Sequence, residues 1–137
     1  MGHLMYDPNA STPLIVPVSC PVTERPEGAP RLWGKLKIKV RTDSLAYRIY
    51  RKSEVEEVFH CNYELNPDFQ EVLEASGLKV SGVSEDGGAR IVELPGHRFF
   101  LATGFLPQLT SEGENPHPLI VAYLEAALSF QRSEQGN

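Results

Sequence analysis

Cysteines and long apolar runs are scarce in this chain. Only two cysteines, Cys20 and Cys61, occur among 137 residues, too few for a disulfide framework, so we expect reduced thiols. No run of about 18 apolar residues is present, which predicts no membrane-spanning segment. The first residues lack the basic start and the apolar core of a secretory signal. These absences predict a cytoplasmic protein without a membrane partner.

An excess of basic residues is also missing. The 13 Lys and Arg residues are outnumbered by 18 Asp and Glu residues, which gives a net charge of −5. Broad nucleic-acid binding needs a cationic face that neutralises phosphates, so we expect no nucleic-acid partner. The acids Glu54, Glu56 and Glu57 are interpreted as a solvated charge run. Without a glycine-rich phosphate loop or closely spaced His and Cys ligands, we expect neither a cofactor nor a bound metal.

The composition of the chain is typical of a folded domain. Hydrophobic residues make up 41% and charged residues 23%, and the length suits one domain over residues 1–137. Period-two alternation and turn dipeptides predict strands, and two segments have helical periodicity. The mixed order of these elements predicts an α/β fold, a mixed sheet with packed helices. The predicted strands cover residues 14–18, 35–41, 55–65, 78–83, 89–94 and 99–105, the helices cover 67–76 and 118–131, residues 21–30 are a predicted loop, and residues 45–50 are ambiguous.

Three of these segments carry specific expectations. Asn66 is expected to cap the shorter helix and Gly77 to end it, with Val72 and Leu73 on its apolar stripe. The run at residues 99–105 is almost continuously apolar, which predicts a strand that is buried on both faces. The closing helix is apolar around most of its circumference, so we expect it to be largely buried.

The densest cluster of reactive side chains is His60, Cys61 and Asn62. Neighbours on a strand point to opposite faces, so His60 and Cys61 alone do not predict a Cys–His dyad. Cys20 lacks the adjacent glycine and the following helix of a nucleophile elbow. His117 lies between two prolines, which suits a helix cap better than a catalytic base.

Several motifs follow the order and spacing of a known family. Over residues 57–130 the chain resembles the end of the class I glutamine amidotransferase domain of CTP synthases. This resemblance implies a partial, truncated flavodoxin-like domain. Tyr-Asp-Pro at residues 6–8 and His-Cys-Asn-Tyr at 60–63 are similar to the CTP synthase C-terminal-region-related proteins. The motifs are Tyr-Glu-Leu-Asn-Pro at 63–67, Ser-Gly-Leu-Lys-Val-Ser-Gly at 76–82, Val-Glu-Leu-Pro-Gly-His-Arg-Phe-Phe at 92–100, Phe-Leu-Pro-Gln at 105–108 and Pro-His-Pro-Leu at 116–119.

The resemblance also implies that the catalytic residues have been lost. In active members a cysteine attacks the glutamine amide, and a Phe-His-Pro-Glu motif supplies the base and its orienting acid. Here Leu106 stands at the base position and cannot accept a proton, while Gln108 stands at the acid position and carries no charge. The family's cysteine elbow belongs to a part that precedes residue 1. We therefore expect a degenerate, non-catalytic domain connected with pyrimidine nucleotide metabolism, although its status as an enzyme stays open.

Two alternatives remain at this point. The chain could be a thiol-dependent hydrolase or amidotransferase with a relocated site around Cys61, using His60 or His117 as the base. It could instead be one half of a split amidotransferase. Asn62 and Tyr63 are candidate ligand-binding residues for a glutamine-like or nucleotide-related small molecule. An uncovered sheet edge and closing helix would favour self-association or a covering partner domain.

Overall fold

The computed structural model of the chain describes residues 2–4, 6–18 and 33–136, so Cys20 and the predicted loop at 21–30 lie outside the described residues. The eight strands are β1 (Gly2–His3), β2 (Pro13–Pro17), β3 (Trp33–Val40), β4 (Glu54–His60), β5 (Tyr63–Leu65), β6 (Lys79–Ser84), β7 (Ala89–Glu93) and β8 (Leu101–Thr103). The helices are α1 (Leu45–Tyr50), α2 (Gln70–Ala75) and α3 (Pro118–Gln135), with short 3₁₀ segments at Pro67–Phe69 and Pro107–Leu109.

The strands form two sheets. The larger sheet has the order β4-β3-β6-β7-β8 and is antiparallel throughout. The smaller sheet has the order β1-β2-β5 and combines a parallel with an antiparallel pair. Helices together with parallel and antiparallel strand pairs confirm the predicted α/β class with a mixed sheet.

One face of the larger sheet is covered by α1 and α3. The core between them contains Ile38, Ala46, Ile91 and Leu119, all buried. β3 has the predicted period-two pattern, because Ile38 and Val40 face this core while the lysines point to the opposite face of the sheet. Gly82 of β6 allows this tight packing, since a Cβ atom there would lie 2.7 Å from the Ile91 side chain and 2.9 Å from that of Ile38.

The ambiguous segment at residues 45–50 is a helix because an adjacent serine and a distant carboxylate satisfy its first turn. The Ser44 hydroxyl accepts a hydrogen bond from the Tyr47 N–H at 3.0 Å. The buried carboxylate of Glu93 accepts from the N–H groups of Leu45 at 2.9 Å and Ala46 at 3.2 Å. A carboxylate at a helix N-terminus also complements the helix dipole. Glu93 lies in β7, 48 residues after Leu45, so local periodicity alone did not reveal this helix.

The predicted strand at residues 55–65 is wrong as a single element. β4 ends at His60 and pairs with β3, whereas β5 starts at Tyr63 and pairs with β2 in the other sheet. The chain turns at Cys61, whose sulfur accepts a hydrogen bond from the Tyr63 N–H at 3.4 Å. The Asn62 carbonyl accepts from the Val18 N–H at 2.8 Å, which starts the pairing of the smaller sheet. A local hydrogen bond at Cys61 and a long-range one at Asn62 therefore divide one apolar run into two strands.

The predicted helix at residues 67–76 begins as the 3₁₀ segment Pro67–Phe69 and continues as α2 from Gln70, and its two expected end residues have the predicted roles. The Asn66 side chain accepts from the Asp68 N–H at 3.0 Å, and Gly77 ends the helix with φ +101°. Its apolar stripe is narrower than expected, because Leu73 is buried while Val72 is 50% exposed. No helix in the described residues is long and apolar enough to span a membrane.

The final segments are much less buried than expected. β8 covers only three residues of the predicted run, and it pairs with β7 alone among the described strands. None of its three residues is fully buried, so the prediction of a strand that is buried on both faces is wrong. α3 extends to Gln135, beyond the predicted end, and only Leu119 among its residues is fully buried. Tyr123, Leu124 and Leu128 are each more than half exposed. The prediction of a largely buried closing helix is therefore wrong, because α1 covers only one side of it.

We predict that Glu93→Gln lowers the free energy of unfolding by about 1–2 kcal/mol, because the amide loses one acceptor and the charge that faces the α1 N-terminus. Glu93→Ala should cost more, because both N–H groups then lose their partner. Urea titrations followed by circular dichroism would measure these changes. Glu112→Gln removes the same charge from an exposed loop and serves as the control. An equal loss in the control would refute the capping role of Glu93.

Candidate functional site

A cleft lies between the smaller sheet and the face of the larger sheet that the helices leave open. Two adjoining cavities make up this cleft, one of about 510 Å³ and one of about 380 Å³. Cys61, Tyr63, Arg90 and Gly104 line both cavities and form their common wall. Volumes of this size suit a small-molecule ligand.

The two cavities differ in chemical character. Charged side chains line the larger one, and we call it the charged cavity. Hydrocarbon side chains dominate the smaller one, and we call it the apolar cavity. Lys35, Lys37, Glu56, Glu85 and Asp86 belong to the charged cavity, and Ile15, Leu65, Val92, Ala102 and Leu106 to the apolar cavity.

Arg90 is fixed in the wall between the two cavities. Its guanidinium donates from Nη2 to Glu64 Oε2 at 2.9 Å and from Nε to Ser84 Oγ at 2.8 Å, and both the Arg90 and Glu64 side chains are buried. Ser84 in turn donates to Asp86 at 2.5 Å, and this hydroxyl is the main cause of a lowered pKa of the Asp86 carboxyl. The network joins β7 to β5 and thereby holds the two sheets together. A buried ion pair with these hydrogen bonds also neutralises the charge of Arg90 toward the cleft.

The structure brings three of the predicted candidates to the apolar cavity and a fourth to its edge. Leu106, His60 and Cys61 all line it, and Tyr63 stands in the common wall with its ring 4.9 Å from that of His3. Leu106 is held there by its N–H, which donates to the Val58 carbonyl at 3.0 Å. His60 and Cys61 reach the same cavity because β4 ends between them, so the strand alternation that separates neighbours does not apply.

Two other candidates lie outside this lining. Gln108 is exposed in the 3₁₀ segment Pro107–Leu109, and it does not line either cavity of the cleft. Asn62 contributes its backbone carbonyl to the start of the smaller sheet, and its side chain is not among the lining groups. Of the two predicted ligand-binding residues, only Tyr63 therefore faces the cleft.

His117 takes part in a different cluster, on the helix side of the larger sheet. Its Nδ1 accepts from the Leu119 N–H at 3.2 Å, which caps α3, and its Nε2 lies 2.8 Å from Glu57 Oε1. Because Nδ1 accepts, Nε2 is the nitrogen that carries the proton toward the carboxylate. Tyr50 donates to the same Glu57 oxygen at 2.5 Å, and burial together with this carboxylate raises the pKa of Tyr50.

Glu57 corrects the interpretation of the acidic run near residue 55. Its side chain is 4% exposed, whereas Glu54 and Glu56 face solvent. The buried position follows from β4, in which Glu57 points to the same face as the core. Glu57, Tyr50, Arg90 and the paired Glu64 were not identified as site residues from the sequence. Period-two alternation in β4 and β7 could have indicated their burial. It places Glu57 on the face covered by the helices and Arg90 on the face toward the smaller sheet.

Comparisons with known proteins agree with this fold. No protein-family model matches the chain. The CTP synthase of Saccharolobus solfataricus is 35% identical over 124 residues, which are 90% of this chain, and that of Staphylococcus aureus is 37% identical over 102 residues, or 74% of it. A solved structure of the glutaminase domain of Trypanosoma brucei CTP synthase with bound acivicin matches 92% of the chain with a TM-score of 0.82 and 25% identity. This chain is a glutamine amidotransferase domain of CTP-synthase type.

The match covers only part of each relative. The chain spans 23% and 19% of the two curated CTP synthases, and half of the Trypanosoma brucei glutaminase chain. The flavodoxin-like amidotransferase fold expected from the motifs is confirmed by the solved structure.

We predict that His117→Ala lowers the free energy of unfolding by about 2–4 kcal/mol, because α3 loses its cap and buried Glu57 loses a partner. His117→Asn should recover about 1 kcal/mol of this loss, since asparagine caps a helix but does not reach Glu57. Urea titration measures both changes, with exposed His97→Ala as the control. Equal losses for the alanine and asparagine variants would show that the Nδ1 cap adds nothing.

We also predict ordinary reactivity for Cys61, because the structure commits His117 to Glu57 and α3. In a Cys20→Ser background, iodoacetamide should alkylate Cys61 within about threefold of the rate for N-acetylcysteine at neutral pH. A His60→Ala variant tests the remaining histidine of this segment. A much faster reaction that slows in His60→Ala would contradict the prediction and indicate an activated thiol.

Proposed function

We propose that this chain is a degenerate, non-catalytic glutamine amidotransferase-like domain that binds a small molecule in the cleft between its sheets. The observation that carries the proposal is Leu106. It lines the apolar cavity at the position where the resemblance requires a proton acceptor. A hydrocarbon side chain cannot take the proton of a cysteine thiol, so the acyl-transfer step lacks its general base.

The remaining polar groups of the apolar cavity do not replace this base and its acid. Glu64 is the carboxylate in the lining, and it is engaged with the guanidinium of Arg90 at 2.9 Å. Gln108, at the family's acid position, is exposed and uncharged. A Cys–His pair without an orienting carboxylate is a poor nucleophile for an amide. These contacts support binding rather than hydrolysis.

The two cavities together suggest how a ligand lies in the cleft. A glutamine-like or nucleotide-related molecule has a charged end and a less polar end. Lys37 of the charged cavity is the cation offered to the anionic end, because Lys35 is paired with Glu56 at 3.2 Å and Arg90 with Glu64 at 2.9 Å. The less polar end would then extend past Tyr63 toward Leu106. A place in pyrimidine nucleotide metabolism and a cytoplasmic location follow from the resemblance and belong to this proposal.

The direct test combines an activity assay with calorimetry. We expect the purified chain to release no ammonia from glutamine, and Leu106→His with Gln108→Glu to leave this result unchanged. Glutamine and CTP are titrated separately into the wild type, into Ala102→Trp, which fills the apolar cavity, and into Val72→Trp as an exposed control on α2. We expect binding that Ala102→Trp weakens at least about tenfold and that the control retains.

Each part of the proposal can fail separately. Absence of binding by both compounds would remove the proposed ligand classes and leave only the loss of catalysis. Ammonia release that disappears in Cys61→Ala would refute that loss. It would support the second candidate, a thiol-dependent enzyme with a relocated site, which is motivated by His60 and Cys61 lining one cavity.

A further inference from the structure

The outer face of α3 is the largest concentration of exposed apolar side chains among the described residues. Tyr123, Leu124, Leu128 and Phe130 are 58%, 54%, 51% and 48% exposed, and nearby Phe100 is 42% exposed. At about 100° per residue, the four helical members lie within one half of the circumference of α3. We call these five residues the α3 surface.

The α3 surface is held in place by the segment that precedes β8. Phe99 contacts Tyr123 edge to face with ring centroids 5.7 Å apart, and the Arg98 guanidinium lies 4.7 Å from the Phe130 ring centroid. These contacts fix the aromatic rings from one side and leave their outer faces open. A partner that covers the surface would therefore meet side chains that are already ordered, which lowers the entropy cost of association.

The charge of the α3 surface permits self-association. The whole chain has a net charge of −5, but between Leu119 and Gln131 the helix carries a single charged residue, Glu125. Arg98 is the cation at the opposite rim. When two copies meet here, each contributes Arg98 as a cation and Glu125 as an acid, so the charges balance. Like-charge repulsion therefore opposes contact less here than on the acidic remainder of the protein.

The area of the α3 surface suits a small and weak dimer interface. A half-exposed leucine or aromatic side chain leaves roughly 100 Å² open, so the five residues present roughly 500 Å² on each copy. Stable interfaces bury about 800 Å² per partner, and weak ones less. Ile120 and Ala127 lie between the surface residues on the helix and add to the contact. The largest apolar patch on a typical monomer covers about 300–600 Å², and patches of this size are often functional.

We propose that the α3 surface is a self-association interface that joins two copies of this chain in a symmetric dimer. A two-fold axis across α3 lets the same apolar stripe serve both copies. β8 begins directly after Phe100, and its outer edge is unpaired among the described strands. Its three residues offer few backbone hydrogen bonds to a second copy. Side-chain burial on α3 therefore provides most of the association free energy.

The test is sedimentation velocity of the full chain over a range from low micromolar to several hundred micromolar. We expect a concentration-dependent dimer, and Leu124→Glu with Leu128→Glu should raise its dissociation constant at least about tenfold. The matched controls are Val72→Glu and Leu109→Glu, which introduce the same charge outside the α3 surface. These two side chains are 50% and 54% exposed, respectively. They should leave the dimer intact. Circular dichroism confirms that each variant remains folded.

Several results would overturn this proposal. A monomer across the whole range would do so, and it would point instead to a different polypeptide on this surface, such as one related to the half of the Trypanosoma brucei domain that this chain does not match. Equal weakening by the control variants would show nonspecific association. Higher oligomers that persist in the double variant would place the interface elsewhere.

Discussion

Two buried carboxylates anchor the helices to the larger sheet, and the rest of the arrangement depends on them. Glu93 satisfies the first N–H groups of α1, and Glu57 receives hydrogen bonds from Tyr50 of α1 and from His117 at the start of α3. A buried carboxylate without such partners would be strongly unfavourable, so these contacts favour the observed position of each helix. With both helices committed to this face, the opposite face is left to the smaller sheet and the cleft between them. The same commitment turns one half of α3 away from the core.

Local chemistry explains which parts of the fold could be predicted from the sequence. The Asn66 cap, the helix end at Gly77 and the alternation in β3 each depend on residues a few positions apart, and these features were predicted correctly. α1 was ambiguous because its cap comes from Glu93, far along the chain. The burial of α3 was overestimated, because periodicity measures how apolar a helix is and not how much of it a neighbour covers.

The candidate site shows the same division between local and distant information. The motif resemblance pointed to Leu106 and Gln108 as single positions, and their roles stay predictions. It did not reveal that Leu106, His60 and Cys61 share one cavity, because that depends on β4 ending before Cys61 and crossing into another sheet. The Arg90–Glu64 pair also required the structure, since its partners lie on different sheets.

Neutralisation of Arg90 has a consequence for any ligand of the cleft. Among the described lining residues of the apolar cavity, Arg90 is the Lys or Arg side chain, and it is already paired with Glu64. An amino-acid carboxylate therefore belongs beside Lys37 of the other cavity, where Lys35 is paired with Glu56. The distal end of the ligand then reaches Leu106. A primary amide that faces Leu106 itself, rather than the polar lining side chains of His60 and Thr103, would lose hydrogen bonds to water without replacement, at a cost of about 1–3 kcal/mol, whereas a hydrocarbon or ring would not. Between ligands of equal size and charge, the cleft should thus prefer one with a less polar distal end than glutamine.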